Sequence, residues 1–377
     1  MPTRVVVLGA GFGGMELSTM LSEEAGDLVE VTLVDSGDSF VFGFSKLDVL
    51  FGRTAVDSVR LPYSSFRHPS VRLLRETITA IDPAAKVVAT DAGTHEADIL
   101  VVALGADYDL TATPGLAEAG NEFYSVPGAA RLAEILAAAE PGNYVIGVCD
   151  APYKCPPAPS ECALLLHNHL VARGIREEST ITFTIPLPSP VPPAPEASRA
   201  LLAEFAERDI RFVPGVRIAS LDGARGIVLL DDGRELPYDV FLGVPKHHAP
   251  QVVLDSGMAE DGYIPVDPST LASRFPDVYA VGDVATAGVP KAGVFSEGAA
   301  KVVARSIIAR LHGGEAPAPY DGVGICYVEF GDDRVGRVRV DFLSGPKPTG
   351  SLDGPNAGYA AEKGEWAASR RARWFGV

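Results

Sequence analysis

Four cysteines, Cys149, Cys155, Cys162 and Cys326, are the side chains of this sequence with the richest intrinsic redox chemistry. Cys155 stands in a proline-rich stretch, Tyr153-Lys154-Cys155-Pro156-Pro157, where the neighbouring Lys154 ammonium favours a thiolate. Cys149 closes an apolar run and reads as a buried small residue. Cys162 falls in the first turn of an expected helix, where it either packs or carries a thiolate stabilised by the helix dipole. On residue type alone each cysteine is most often a buried small residue. Lys291 lies just ahead of another expected helix, Ser296–Leu311, and is either a solvated lysine or a cation that stabilises negative charge on a bound group. His167 and His169 are two apart on a helix and face different directions, so no metal set is expected. The pair His247-His248 reads as a surface histidine or as a proton relay.

A second chemistry is phosphate binding. Arg4-Val5-Val6-Val7-Leu8-Gly9-Ala10-Gly11-Phe12-Gly13-Gly14 predicts a short buried strand, a glycine turn around Phe12 and Gly13, and a helix through Met15–Leu21. Gly9 allows the tight turn, Gly11 lets backbone approach a pyrophosphate, and Gly14 lets the helix pack on the strand. A second strand, Val29–Val34, ends in Asp35-Ser36, with Asp35 placed for both ribose hydroxyls of an adenosine. Strand, glycine loop, helix, strand and terminal acid in this order are the signature of a dinucleotide site. Ala97–Ala106 is a buried strand ending at Gly105 that closes this nucleotide fold. Much later, Phe275–Asp283 ends in Gly282-Asp283, where the carboxylate would accept from a ribityl hydroxyl. With the aromatic loop Phe40–Ser45, which either packs near a flat ring or plugs the core, these residues describe an FAD site.

The elements that must position them repeat the theme once. A helix over Pro127–Ala139 precedes the strand Asn143–Val148, aimed at a turn. That turn holds Cys149, Pro152, Pro156 and Pro157 where a phosphate would need glycines and N–H groups. NAD(P)H binding there is not expected. Ser160 is expected to cap the helix Glu161–Ala172. Val71–Asp91 reads as a meander turning at Asp82-Pro83, Val216–Leu236 as a hairpin turning at Asp231–Gly233, and Pro186–Pro195 as a stiff surface loop. The expected fold is α/β with two Rossmann-like dinucleotide-binding domains. Residues 1–110 and 255–320 form a discontinuous FAD-binding domain, residues 111–254 a second domain with a degenerate nucleotide loop, and residues 321–377 a C-terminal segment.

With 377 residues, 47% hydrophobic and 21% charged, the chain has the composition of a folded protein of two or more domains. Its net charge of −17 argues against nucleic acid as a partner. No apolar run is long enough to span a bilayer, and with Met1–Arg4 passing directly into the first strand no secretory leader is expected. A cytoplasmic location is expected, with catalytic or inert cysteines rather than a disulfide framework. The tail Glu365–Phe375 combines Trp366, Trp374 and Phe375 with Arg370, Arg371 and Arg373. It suits a peripheral membrane contact at the inner face of the cell membrane, a homo-oligomer contact, or packing against the body.

From Val5 to about Asp341 the chain resembles the sulfide:quinone oxidoreductase and flavocytochrome c sulfide dehydrogenase group of two-dinucleotide-fold flavoproteins, which share the glutathione reductase-like fold. The resemblance rests on GAGFGG at Gly9–Gly14, YKCPPAPSE at Tyr153–Glu161, VPKHHAPQVV at Val244–Val253, VYAVGDVA at Val278–Ala285, PKAG at Pro290–Gly293 and CYVEFG at Cys326–Gly331. It implies that Cys155 and Cys326 flank the flavin as a redox pair, that the donor is sulfide or a related thiol or persulfide, and that a quinone accepts the electrons. Lys291 joins the two cysteines in the implied catalytic set. The third cysteine that many quinone users carry ahead of the Pro127 helix is missing from Phe123-Tyr124-Ser125-Val126. The cysteine that attaches FAD in flavocytochrome relatives is missing from Phe40–Ser45, so FAD is expected to be non-covalent. The alternatives are a flavin oxidoreductase of the same fold with another donor, including NADH, and a low-turnover flavoprotein that senses redox state or binds a partner.

Overall fold

The computed structural model describes all residues from 1 to 377. Thr3–Leu8 becomes the central strand of a five-stranded parallel sheet. The strand order is Val278–Ala280, Ile99–Val102, Thr3–Leu8, Val29–Asp35, Val71–Arg75. Alternate residues of these strands enter two different cores, as the two-residue period of a strand requires. Val5, Val7, Val31 and Leu33 pack under the helices Phe12–Glu24 and Gly293–His312. Val6, Leu8, Val34 and Val102 pack under the antiparallel meander Ile78–Asp82, Val87–Thr90, Thr94–Glu96 and the short helix Gln251–Asp255. With both faces covered, the strands read as continuous apolar runs.

The second parallel sheet is ordered Ile210–Pro214, Thr180–Ile185, Asn143–Val148, Val240–Val244. Helices Val126–Ala138, Ala158–Ala172 and Pro195–Glu207 cover one face. The meander Ile218–Asp222, Ile227–Leu230, Glu235–Pro237 covers the other. Ser125 caps the first of these helices, accepting from the Gly128 N–H at 2.9 Å.

Several local expectations change. Val71–Arg75 leaves the meander to join the parallel sheet, because Val31 and Leu33 offer it a buried partner edge. The expected hairpin over 216–236 has a second turn and becomes three strands. The helix after Cys155 begins at Ala158, so Ser160 lies inside it with a buried, unpartnered Oγ instead of capping. The proline-rich 186–195 stretch tucks Val191 and Ala194 into the core.

Beyond residue 322 an antiparallel sheet, Val323–Gly331, Arg334–Asp341, Thr349–Asn356, leads into the helix Ala357–Phe375. The tail packs against the body. Trp374 and Phe375 are buried with Phe12, Phe40 and Phe66. The Trp374 Nε1–H and the Arg373 Nε–H both donate to the buried Glu16 Oε2, at 2.9 and 3.0 Å. Arg370 pairs with Glu297 at 2.9 Å. Trp374 and Phe375 are therefore turned inward, Trp366 is half-buried, and two of the three arginines are held by buried carboxylates. No helix of the protein is long and apolar enough to cross a membrane.

Candidate active site

The glycine loop has the geometry its sequence implies. Gly9 takes φ +98°, and a Cβ there would lie 2.5 Å from the Ala103 oxygen. A Cβ on Gly14 would lie 1.9 Å from the Gly9 oxygen, so only glycine lets the helix start so close to the strand. Gly11 faces open space, the feature a phosphate needs. Asp35 braces this loop: its Oδ2 accepts from the Ala10 N–H and its Oδ1 from the Gly37 N–H, both at 2.7 Å. Neither Asp35 nor Ser36 lines the cavity that opens from the loop, so their expected place on a ribose is not in its wall. Tyr63 does line it, its hydroxyl donating to the Ala10 oxygen at 2.9 Å.

That cavity, about 280 Å³, is walled by Gly11, Phe12 and Gly13 from the loop, Phe40 to Phe44 in part, Gly105, Gly282, Asp283 and Gly293. The aromatic loop serves both expected roles: Phe42 is fully buried, whereas Phe40, Val41, Gly43 and Phe44 face the cavity. The helix expected from Ser296 starts earlier, at Gly293, so its free N–H groups reach the cavity. Asp283 Oδ1 is buried without a hydrogen-bond partner, and burial pushes its carboxyl up. An orphaned buried acceptor costs free energy unless a bound hydroxyl fills it. An open phosphate cradle, an unpartnered acceptor and an aimed helix N-terminus together fit FAD.

Three lysines, Lys46, Lys154 and Lys291, surround Asp283, and their charges oppose the effect of its burial. Burial lowers Lys46 and Lys291 to about 8 each. Lys291 is buried in the cavity wall and is not the solvated lysine of its first reading. Its Nζ donates to the Asp283 and Ala285 carbonyls at 2.6 and 3.3 Å and lies 3.4 Å from the Tyr263 ring centre. Its ammonium thus holds the Gly282–Ala285 turn in place. His247 is not a surface residue: it is 3% exposed, with the Tyr108 and Tyr124 rings edge-on to it. Its Nδ1 bonds the Pro245 oxygen at 2.8 Å, and burial lowers it to about 3, which keeps it neutral.

Cys155 lines the cavity on the turn before the helix Ala158–Ala172, at φ +48°, a left-handed backbone rarely taken by a residue with a Cβ. Its N–H donates to the Lys291 oxygen at 2.7 Å, docking the turn on the first nucleotide fold. Cys326 lies on Val323–Gly331, the strand that packs along that helix. It does not line the cavity, but its charge is one of those that raise the Cys155 thiol. Both are free thiols. Lys154 does not act as its sequence position suggests: its Nζ donates to the Ala106 oxygen at 2.8 Å and lies over the Tyr108 ring. Burial, and then Glu161, push the Cys155 thiol up; burial pushes Cys326 to about 12. Cys149 and Cys162 are buried and outside the cavity wall.

Glu161, Lys46, Tyr63 and Lys363 are functional candidates that residue spacing did not single out. Glu161 alone left a trace in the sequence, an acid inside the apolar helical run Ala158–Leu166. The others reach the site from distant segments.

The sequence matches the family described as pyridine nucleotide-disulphide oxidoreductase over residues 3–146 and 161–305. The interval between the two matches is the loop that carries Cys155. The chain is 26% identical to the sulfide-quinone reductase of Aquifex aeolicus, covering 88% of this chain and 82% of that one. It is 24% identical to the mitochondrial sulfide:quinone oxidoreductase of Mus musculus, covering 93% and 80%. The crystal structure of the sulfide:quinone oxidoreductase from Aquifex aeolicus superposes with a TM-score of 0.87 at 25% identity, covering 98% and 91%. A ferredoxin reductase from Rhodopseudomonas palustris, at 20% identity and a TM-score of 0.69 over 91% and 83%, shares the fold. The glycine cradle, the orphaned Asp283 oxygen and these matches lead to one conclusion: the chain belongs to the pyridine nucleotide-disulphide oxidoreductase family and is an FAD-dependent oxidoreductase.

Proposed function

We propose that the protein oxidises sulfide, or a related small thiol or persulfide, at Cys155 and Cys326 and passes the electrons to a quinone. The observation that carries this reading is the placement of Cys155 in the same cavity wall as Asp283 and the glycine loop, with Cys326 on the strand packed behind its helix. FAD supplies the two-electron acceptor. Hydrosulfide attacks a Cys155–Cys326 disulfide, one sulfur keeping the added atom as a persulfide and the other leaving as a thiolate. Burial disfavours charge on either sulfur, so the resting pair is held in uncharged forms, thiol or disulfide. The relatives named as sulfide-quinone reductases support the donor and the acceptor. The proline-filled second turn argues against a nicotinamide donor. The test is anaerobic rapid mixing of the purified holoprotein with sulfide or with NADH. Sulfide should bleach the flavin absorbance rapidly and NADH should not; bleaching by NADH with no response to sulfide would overturn the donor.

A further inference from the structure

Five charged side chains line the cavity, the cations Lys46, Lys154 and Lys291 and the acids Asp283 and Glu161. FAD accounts for Asp283, and Lys291 holds the turn that carries it. Lys154 and Lys291 both divide their ammonium groups between backbone oxygen and a tyrosine ring. Lys46 is different. It makes one hydrogen bond, from Nζ to the Tyr124 oxygen, and belongs to no ion pair. The rest of its ammonium has no partner in the protein and faces the cavity.

Lys46 stands on the short helix Ser45–Leu50, which follows the aromatic loop and packs on the helix Val126–Ala138. The Tyr124 oxygen that receives it also takes the Tyr108 hydroxyl at 2.8 Å. At its other end Tyr124 places its own hydroxyl 3.5 Å from the Cys155 oxygen. One tyrosine thus bridges Lys46 and the cysteine turn. Negative charge on Cys155 raises Lys46, and by reciprocity the ammonium favours the Cys155 thiolate. The other titratable groups facing Lys46 are Lys154, Glu122, Asp283 and His247. Those facing Cys155 are Glu161, Cys326, Lys363, Tyr124 and Tyr153. Lys363 is matched by the Glu329 carboxylate at 2.5 Å, whereas Lys46 is matched by none. Burial leaves Lys46 at about 8, so at neutral pH it is still an ammonium.

We propose that Lys46 is the counter-cation of a Cys155 thiolate, stabilising the charge this sulfur carries once the disulfide opens. This rests on the sulfide reading above. Hydrosulfide attacks the Cys326 sulfur and the bond to Cys155 breaks. Cys326 keeps the added atom as a hydropersulfide, and Cys155 leaves as a thiolate. The disulfide is the oxidant, the one hydrogen stays on the added sulfur, and the single negative charge passes from hydrosulfide to Cys155. Lys46 keeps its proton throughout. Cys155 is the sulfur so served because it shares the cavity wall with Lys46, while Cys326 does not line it. A fixed ammonium aimed at the place where charge develops needs no reorganisation when the bond breaks.

Lys46→Gln keeps an N–H donor for the Tyr124 oxygen and removes the charge, whereas Lys46→Arg keeps both. In holoprotein reduced and desalted anaerobically, uncharged iodoacetamide reads the thiolate fraction of each cysteine. At pH 7 the Cys155 rate should fall about tenfold in Lys46→Gln and recover in Lys46→Arg, with the Cys326 rate unchanged in both. An unchanged Cys155 rate in Lys46→Gln, or equal slowing at both cysteines, would overturn the proposal. Wild type gives a check that needs no variant. Its Cys155 rate should climb with pH and then flatten near pH 8, where Lys46 loses its proton and its hold on the thiolate. A profile without that break also overturns the role. Sulfide-dependent bleaching should fall in step with the Cys155 rate while FAD stays bound. Should wild type itself ignore sulfide, the donor reading falls, and the labelling rates alone decide the role of Lys46.

Discussion

The two nucleotide folds of this chain start from the same plan and diverge at one loop. In each, a buried central strand of a parallel sheet runs into a turn and then a helix. After Leu8 the helix begins four residues on, at Phe12; after Val148 it begins ten residues on, at Ala158. Gly11 looks into open space, whereas a Cβ on Gly147 would lie 2.6 Å from the Phe241 ring. The first loop keeps short glycines and free N–H groups for phosphate. The second fills that place with a cysteine, prolines and a packed ring. Its extra residues cross to the other fold, where the Cys155 N–H meets the Lys291 oxygen. With prolines where the first loop has glycines, the second loop instead carries a sulfur to the wall of the neighbouring cavity.

The sharpest way to break this comparison is at the sulfur. Cys155→Ser and Cys326→Ser should each slow sulfide-dependent flavin reduction by about 10³-fold or more while FAD stays bound. The double variant should be little worse, because groups that act as one unit are not additive. Full activity in either single variant would remove the pair from the mechanism. Next come the glycines. Gly14→Ala drives a Cβ into the Gly9 carbonyl and Gly147→Ala drives one into Phe241, so each should cost roughly 1–3 kcal/mol in thermal or denaturant unfolding. Only the Gly14 variant should also lose FAD, read from the ratio of flavin to protein absorbance; equal retention would show that the first loop is no special cradle. The smallest effect is an absence: calorimetric titration with NADH should give no saturable heat, and a tight complex would mean that the second fold has kept a nucleotide site.

Much of the site was legible along the chain because short-range rules govern it. The turn at Gly9, the close packing at Gly14 and the run into Gly282-Asp283 depend on neighbours a few residues away, and each is found where spacing places it. The charges were not legible. Lys154 adjoins Cys155 in sequence, yet its ammonium turns to Ala106 and Tyr108, while Lys363, 208 residues away, is a cation whose charge favours the Cys155 thiolate. Lys291 and His247 likewise show their roles only against the Asp283 turn and the two tyrosine rings. Of the three readings of the tail, packing against the body became visible only through Glu16 and the Phe12 cluster, which lie far from it in sequence.

The sequence by itself determined the α/β plan, the FAD cradle and the prolines that stand where a second cradle would need N–H groups. Those follow from glycine, proline and apolar periodicity, which act through local backbone sterics. Only the tertiary structure decided which charges surround which sulfur and that Glu161 shares a cavity wall with Cys155. Burial and electrostatic neighbourhood depend on distance in space, and residues far apart in the chain supply both.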